Sequence, residues 1–167
     1  AAAVGLQCGM ALEAIALALQ AALPEAGRQE VVKARAGYTI VNDTYNANPE
    51  SMRASLLTFS AMDGFGRHIA VLGDMGELGS YAEACHKGIG ALIPSLNVDY
   101  LICIGELSAY IAQAALEAGM SADRIVQANS ISDVLGTLDS MLEPTDAVLV
   151  KASHFMGLSR VVEGLIR

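Results

Sequence analysis

The stretch YTIVNDTYNANPESM, Tyr38–Met52, passes from an apolar, β-branched run to a cluster of short polar side chains and then to a proline. Pro49 suits the first turn of a helix, where the N–H that proline lacks would have no partner. The stretch therefore predicts a strand ending near Asp43, a polar loop, and a helix running to about Met62. Strand, loop and helix in that order form the repeating unit of a parallel α/β sheet.

The chain downstream repeats that unit. HIAVLGD, YLICIG, RIVQA and AVLVKAS each read as strands, RIVQA the weakest, and helical patterns over 80–93, 106–118, 130–142 and 157–167 alternate with them. Gly119 ends the second of those helices. Continuous aliphatic runs separated by helices predict a mostly parallel sheet covered on both faces. The strands at 69–73, 100–104 and 147–150 are expected to be buried neighbours. Upstream, EVVKAR and YTIVND flank a turn at Ala36-Gly37 and predict one antiparallel hairpin over 30–43.

The first residues fit this plan poorly. Residues 10–21 place Leu12, Ile15, Ala16 and Leu19 on one helical face, and Pro24 and Gly27 then mark a boundary. The apolar face needs a partner: the sheet, or a preceding domain of which this helix is the tail. The second is the favoured expectation, with residues 1–25 as that tail and 26–167 as the α/β domain.

Composition limits the function classes. Of 167 residues 53% are hydrophobic and mean hydropathy is +0.43, yet no apolar run approaches the roughly 20 residues of a membrane helix. The start of the chain lacks the basic residues of a signal peptide. A net charge of −8, with ten basic residues scattered singly, argues against nucleic-acid binding. Cys8, Cys85 and Cys103 are odd in number and far apart, and Cys103 sits inside an apolar run as a core residue. Cysteine and histidine show no metal-ligand spacing, and a reducing cytoplasm is the expected compartment.

Ligands of a parallel α/β sheet bind at the carboxyl ends of its strands. There this sequence places Asn42-Asp43-Thr44-Tyr45-Asn46-Ala47-Asn48, Gly73-Asp74-Met75-Gly76-Glu77-Leu78-Gly79, Gly105-Glu106 and Lys151-Ala152-Ser153-His154. Asn46 and Asn48 are either ligand contacts or helix and turn caps. Asp43, at a strand end, suits a ribose diol, and its exchange for alanine is expected to leave stability nearly unchanged. Tyr45 either lies beside a base or covers the sheet edge. Lys151 ends a buried strand, where lysine implies an anion to meet. Arg28 is either a solvated charge or a phosphate ligand, and His154 is a rim contact. The glycines at 73, 76 and 79 do not have dinucleotide-loop spacing.

Four motifs in order, NDTYNANPESMRASL, AVLGDMGELG, EACHKGIG and VLVKASHFMGLSRVV, resemble the C-terminal domain of the Mur ligases over essentially the whole chain. Within that family YNANP resembles the branch that adds D-alanyl-D-alanine to UDP-N-acetylmuramoyl-tripeptide. The resemblance implies a Rossmann-like fold and a cytoplasmic, ATP- and magnesium-dependent amide ligase of peptidoglycan-precursor synthesis. It acts through an acyl phosphate and has N-terminal and central domains as partners. The chain holds no GKT phosphate loop, so magnesium ligands are expected mainly in the central domain and the chain alone is expected to be inactive. The resemblance further implies that Arg28, Asp43, Tyr45, Asn46 and Asn48 face the nucleotide. It assigns Asp74, Lys151, Ser153, His154 and Met156 to the peptide substrates. Ala152 departs from the family's usual glycine and is expected to shift that loop slightly.

Two other readings compete. A phospho-receiver domain is also α/β, but it needs paired acids after its first strand, where this chain has Asn42-Asp43, and an acceptor aspartate where this chain reads ALIPS. A non-catalytic binding domain predicts no nucleotide effect.

Overall fold

The computed structural model of the protein describes residues 1–22 and 25–167. Pro24, half of the expected boundary, lies outside the described residues. Two short helices, α1 (Ala2–Gln7) and α2 (Leu12–Ala21), precede the hairpin β1 (Glu30–Lys33) and β2 (Thr39–Asp43). Strands and helices then alternate: α3 (Pro49–Ser60), β3 (His68–Gly73), α4 (Ala82–Leu92), β4 (Tyr100–Ile104), α5 (Ser108–Glu117), β5 (Ile125–Ala128), α6 (Ile131–Met141), β6 (Ala147–Lys151) and α7 (Ser159–Ile166).

The six strands lie in the order β1-β2-β6-β3-β4-β5, with β1 antiparallel to β2 and every other pair parallel. The expected hairpin and the expected neighbours β6, β3 and β4 are all present. The last strand in sequence is thus inserted at the centre. Its register sets Lys151 beside Asp43 on one side and beside Leu72 on the other.

Successive strand residues point to opposite faces, and here both faces are covered. Ala70, Leu72, Leu101, Cys103 and Leu149 pack under Leu56 and Phe59 of α3, Ile89 of α4 and Ile111 of α5. Ile69, Val71, Ile102, Val148 and Val150 pack under Val134 and Leu138 of α6 and Val161 and Leu165 of α7. That double burial is why these strands read as unbroken apolar runs. Burial pushes the Cys103 thiol up to about 12.

At the amino ends of β3 and β6, Arg67 grips Asp146 with two nitrogens, Nε to Oδ1 at 3.1 Å and Nη2 to Oδ2 at 2.6 Å. The same Nη2 donates to the Met141 carbonyl at 2.6 Å, and the Glu143 N–H donates to Asp146 at 2.8 Å. Burial raises the Asp146 pKa, but the Arg67 and backbone hydrogen bonds outweigh it and hold the carboxyl below its ordinary value.

The leading helices stand apart from this order. Of Leu12, Ile15, Ala16 and Leu19, only Ile15 is buried, and its side chain meets Gly5 of α1. Leu12 and Leu19 remain 64% and 47% exposed, so the sheet does not cover the face of α2.

Candidate functional site

The carboxyl ends of β2, β6 and β3 meet over a buried ion pair. Lys151 Nζ lies 2.6 Å from Asp43 Oδ2 and 3.0 Å from the Asn46 carbonyl oxygen. Asp43 Oδ1 accepts the Gln29 N–H at 3.1 Å, and Ser55 Oγ donates to Oδ2. Lys151 is 1% exposed and Asp43 7%. The anion implied by a lysine at a buried strand end is therefore Asp43 of the same chain. Removing one member of such a pair strands a buried charge. This overturns the expectation that Asp43 is dispensable to stability.

A second group of bonds ties the loops after β2, β3 and β6 together. Ser153 Oγ donates to the Ala47 carbonyl at 3.1 Å and accepts the Gly76 N–H at 2.8 Å. The Ser153 N–H donates to the Asp74 carbonyl at 3.0 Å. Asp74 Oδ1 accepts the Ser108 N–H at 2.7 Å, at the start of α5, so its carboxylate is used as a helix anchor. The Met75 N–H donates to His86 Nε2 at 3.0 Å, which leaves the ring hydrogen on Nδ1 to donate to the Ala82 carbonyl at 2.7 Å. His86, fully buried on α4, holds this loop from below.

Ala152 fits without disturbing these bonds. Its buried methyl lies against Gly73, where a Cβ would stand only 2.7 Å from the Ala152 Cβ. Glycine at 73 supplies the space that alanine at 152 takes up.

Tyr45 lines several grooves, and two of them, which also share Asn46 and Asn48, lie above the tied loops. The larger, about 720 Å³, is lined by Tyr45, Asn46, Ala47, Asn48, Gly76, Glu77, Leu78, Ser153, His154 and Phe155. The smaller, about 400 Å³, is polar and includes Arg28, Gln29, Asp43, Asn48, Ser51 and Lys151. The Arg28 guanidinium lies 3.9 Å above the Tyr45 ring while its Nε bonds Glu25 at 3.0 Å. The His154 ring centre is 6.0 Å from that of Tyr45. Asn48 caps α3 through a reciprocal bond pair with Ser51, and Asn46 Oδ1 accepts the Ala47 N–H at 2.8 Å. Asn48 thus serves as helix cap and groove wall and Asn46 as a turn anchor and groove wall, each with its amide nitrogen free of those bonds.

The structure brings Arg28, Asp43, Tyr45, Asn46, Asn48, Lys151, Ser153 and His154 to the grooves. Asp74 lies beneath them, and Met156 is half-buried against the core under α7. Sequence reasoning did not single out Gln29, Ser55, Glu77, Leu78 or Phe155. Among the described residues no group of three His, Cys, Asp or Glu is placed to hold a metal ion, and no helix is long and apolar enough to cross a membrane.

Comparison with known proteins identifies the family. The family described as Mur ligase, glutamate ligase domain, matches residues 27–154. UDP-N-acetylmuramoyl-tripeptide–D-alanyl-D-alanine ligase of Bacillus subtilis is 36% identical over 164 residues, covering 98% of this chain and 36% of that protein. The Mycobacterium tuberculosis enzyme of the same name is 40% identical over 184 residues, covering 99% of this chain and 36% of its own. The crystal structure of MurF ligase from Thermotoga maritima in complex with ADP superposes with a TM-score of 0.80 at 25% identity, over 98% of this chain and 35% of that one. A MurF structure from Acinetobacter baumannii gives a TM-score of 0.83 at 26% identity, over 97% and 35%. This chain belongs to the Mur ligase family and spans about a third of the length of the relatives it matches.

Proposed function

We propose, with family membership as the premise, that this chain is the C-terminal domain of a cytoplasmic, ATP-dependent ligase. The enzyme joins D-alanyl-D-alanine to UDP-N-acetylmuramoyl-tripeptide in peptidoglycan-precursor synthesis. Residues 26–167 are the domain proper, and α1 and α2 belong to a preceding ATPase domain whose surface covers the bare face of α2. The observation that carries the reading is the pair of grooves sharing Tyr45, at the strand ends where an α/β sheet binds ligands.

The chemistry of the two grooves divides the work. Such a ligase must hold ATP, activate a carboxylate as its acyl phosphate, and present an amine to it. In the smaller groove Arg28 offers a guanidinium to a phosphate, already backed by the Tyr45 ring. Asp43 has about four acceptor positions. Gln29, Ser55 and Lys151 occupy three of them, so it takes one ribose hydroxyl rather than the diol. Asn46 and Asn48 supply amide donors along the shared wall. The larger groove, with Ala47, Leu78 and Phe155 beside His154, suits a small peptide. Lys151 and Ser153 act on these ligands through the loops they hold. Among the described residues no group of three His, Cys, Asp or Glu is placed to hold magnesium.

The test is phosphate release from ATP and magnesium with both peptide substrates. The full-length protein carrying this domain should turn over only when D-alanyl-D-alanine and the UDP-tripeptide are both present. The 167 residues alone should release no phosphate above background, because phosphoryl transfer depends on positioning and electrostatics that one groove edge does not supply. Turnover by the isolated chain would mean that it carries its own catalytic machinery.

A further inference from the structure

We infer that Glu77 is the ligand for the α-ammonium group of the acceptor dipeptide, and that the larger groove recognises its substrate as a zwitterion. The inference rests on the ligase reading above and adds a residue and a charge to it.

The first observation is conformational. Among the described residues two non-glycine residues have left-handed backbone angles, Gln29 at φ 51° and Glu77 at φ 61°. Each lines one of the two grooves. A residue with a Cβ is strained there, whereas glycine is not. This loop uses glycine freely, at Gly73, Gly76 and Gly79, yet has glutamate at the left-handed position before Leu78. The Met75–His86 and Gly76–Ser153 bonds, on the two residues immediately before Glu77, hold the backbone in that state. Backbone strain that persists under such restraint collects at functional positions.

The second observation is chemical. Glu77 is the only carboxylate among the residues lining the larger groove, and no lysine or arginine lines it. Unlike Asp43 and Asp74, which are buried and bonded within the fold, Glu77 is exposed and makes none of the described hydrogen bonds or ion pairs. A carboxylate at the wall of a partly apolar groove with no cation of its own is suited to pair with a ligand cation. Small apolar surface from Ala47 and Leu78 lies beside it, and His154 and the amide nitrogens of Asn46 and Asn48 supply donors for a carboxylate. An ammonium ligand, methyl-sized contacts and carboxylate donors together describe a short D- or L-alanyl peptide with both ends free. The acceptor of the proposed reaction has that composition.

The experiment uses the full-length protein and four variants or probes. Glu77→Gln should raise KM for D-alanyl-D-alanine about tenfold or more, the effect of losing a charge-assisted bond, with KM for ATP unchanged. Glu77→Asp should restore part of that loss. Glu77→Gly should show the same rise in KM while raising the thermal midpoint, because it removes the strain together with the carboxylate. N-acetyl-D-alanyl-D-alanine, which has no ammonium, should bind wild type and Glu77→Gln equally. A wild-type KM for the dipeptide in Glu77→Gln, a parallel rise in KM for ATP, or a parallel loss of N-acetyl dipeptide binding would each overturn the assignment while leaving the ligase reading intact. A wild-type protein that does not consume D-alanyl-D-alanine would overturn both.

Discussion

The sheet carries an ion pair at each end of its central strand, and the two pairs have different surroundings. At the amino end the planar Arg67 fork grips Asp146, and the Arg67 side chain is still 27% exposed. At the carboxyl end Lys151 and Asp43 are almost wholly enclosed, with side-chain exposures of 2% and 10%. The first pair joins the amino ends of β3 and β6, and Arg67 also reaches the carbonyl at the end of α6. The second fixes the Asn46 carbonyl and hence the loop from which both grooves are built. One pair joins the amino ends of two neighbouring strands; the other is a foundation for the loop that walls both grooves.

The largest expected effect tests that contrast at the enclosed pair. Lys151→Ala or Asp43→Ala should cost about 3–5 kcal/mol in denaturant unfolding, since each strands a buried partner. The double change Asp43→Leu with Lys151→Met should recover much of that stability yet fail to restore activity in the full-length protein. Recovery of activity as well would show that the pair has no part in holding the loop. A smaller effect is expected at the other end. Arg67→Ala should cost about 2–3 kcal/mol, the scale of hydrogen bonds to a charged group, and leave KM values unchanged.

That same pair sets a pH signature. Because the folded Asp146 pKa is lowered, its contribution is full above the unfolded value of 3.8 and is lost as pH falls through the folded value. Stability should therefore decline on the acid side below about pH 4, and Arg67→Ala should flatten that decline. An equally steep acid limb in the variant would move the responsibility to other carboxylates. The smallest effect is none at all: Cys103, with its thiol pushed up to about 12, should not react with thiol reagents in the folded protein, while exposed Cys8 reacts readily. Reaction at Cys103 under native conditions would show that the central sheet opens.

Much of the fold was legible because its signals are local. The runs IAVL, LICI and AVLV, the proline at 49 and the alanine-glycine turn each specify an element without help from distant residues. The insertion of β6 between β2 and β3 was legible only as an expectation of neighbours, since the register that pairs Asp43 with Lys151 spans 108 residues. Neighbouring residues could not reveal whether Lys151 faces a ligand or Asp43. The same holds for His86, whose role is defined by a backbone N–H eleven residues away. Glu77 stayed hidden for a different reason. Its left-handed backbone follows bonds from the two preceding residues to α4 and to the loop after β6, and a glutamate between Gly76 and Leu78 carries no sign of it. The helix α1 was not foreseen, because an alanine-rich start has helix propensity but no periodic apolar stripe.

The contact between Ala152 and Gly73 ties the two positions together. Alanine at 152 is accommodated because residue 73 has no side chain, and a methyl group on both would bring two carbons to 2.7 Å. Substitutions in contact are not additive, and here the order of events matters. A lineage with glycine at both positions can add either methyl first, but the first step closes the second. From the present sequence, Gly73→Ala should be tolerated only after Ala152→Gly has occurred. Two positions 79 residues apart are thereby bound into one choice, in which a methyl at one excludes a methyl at the other.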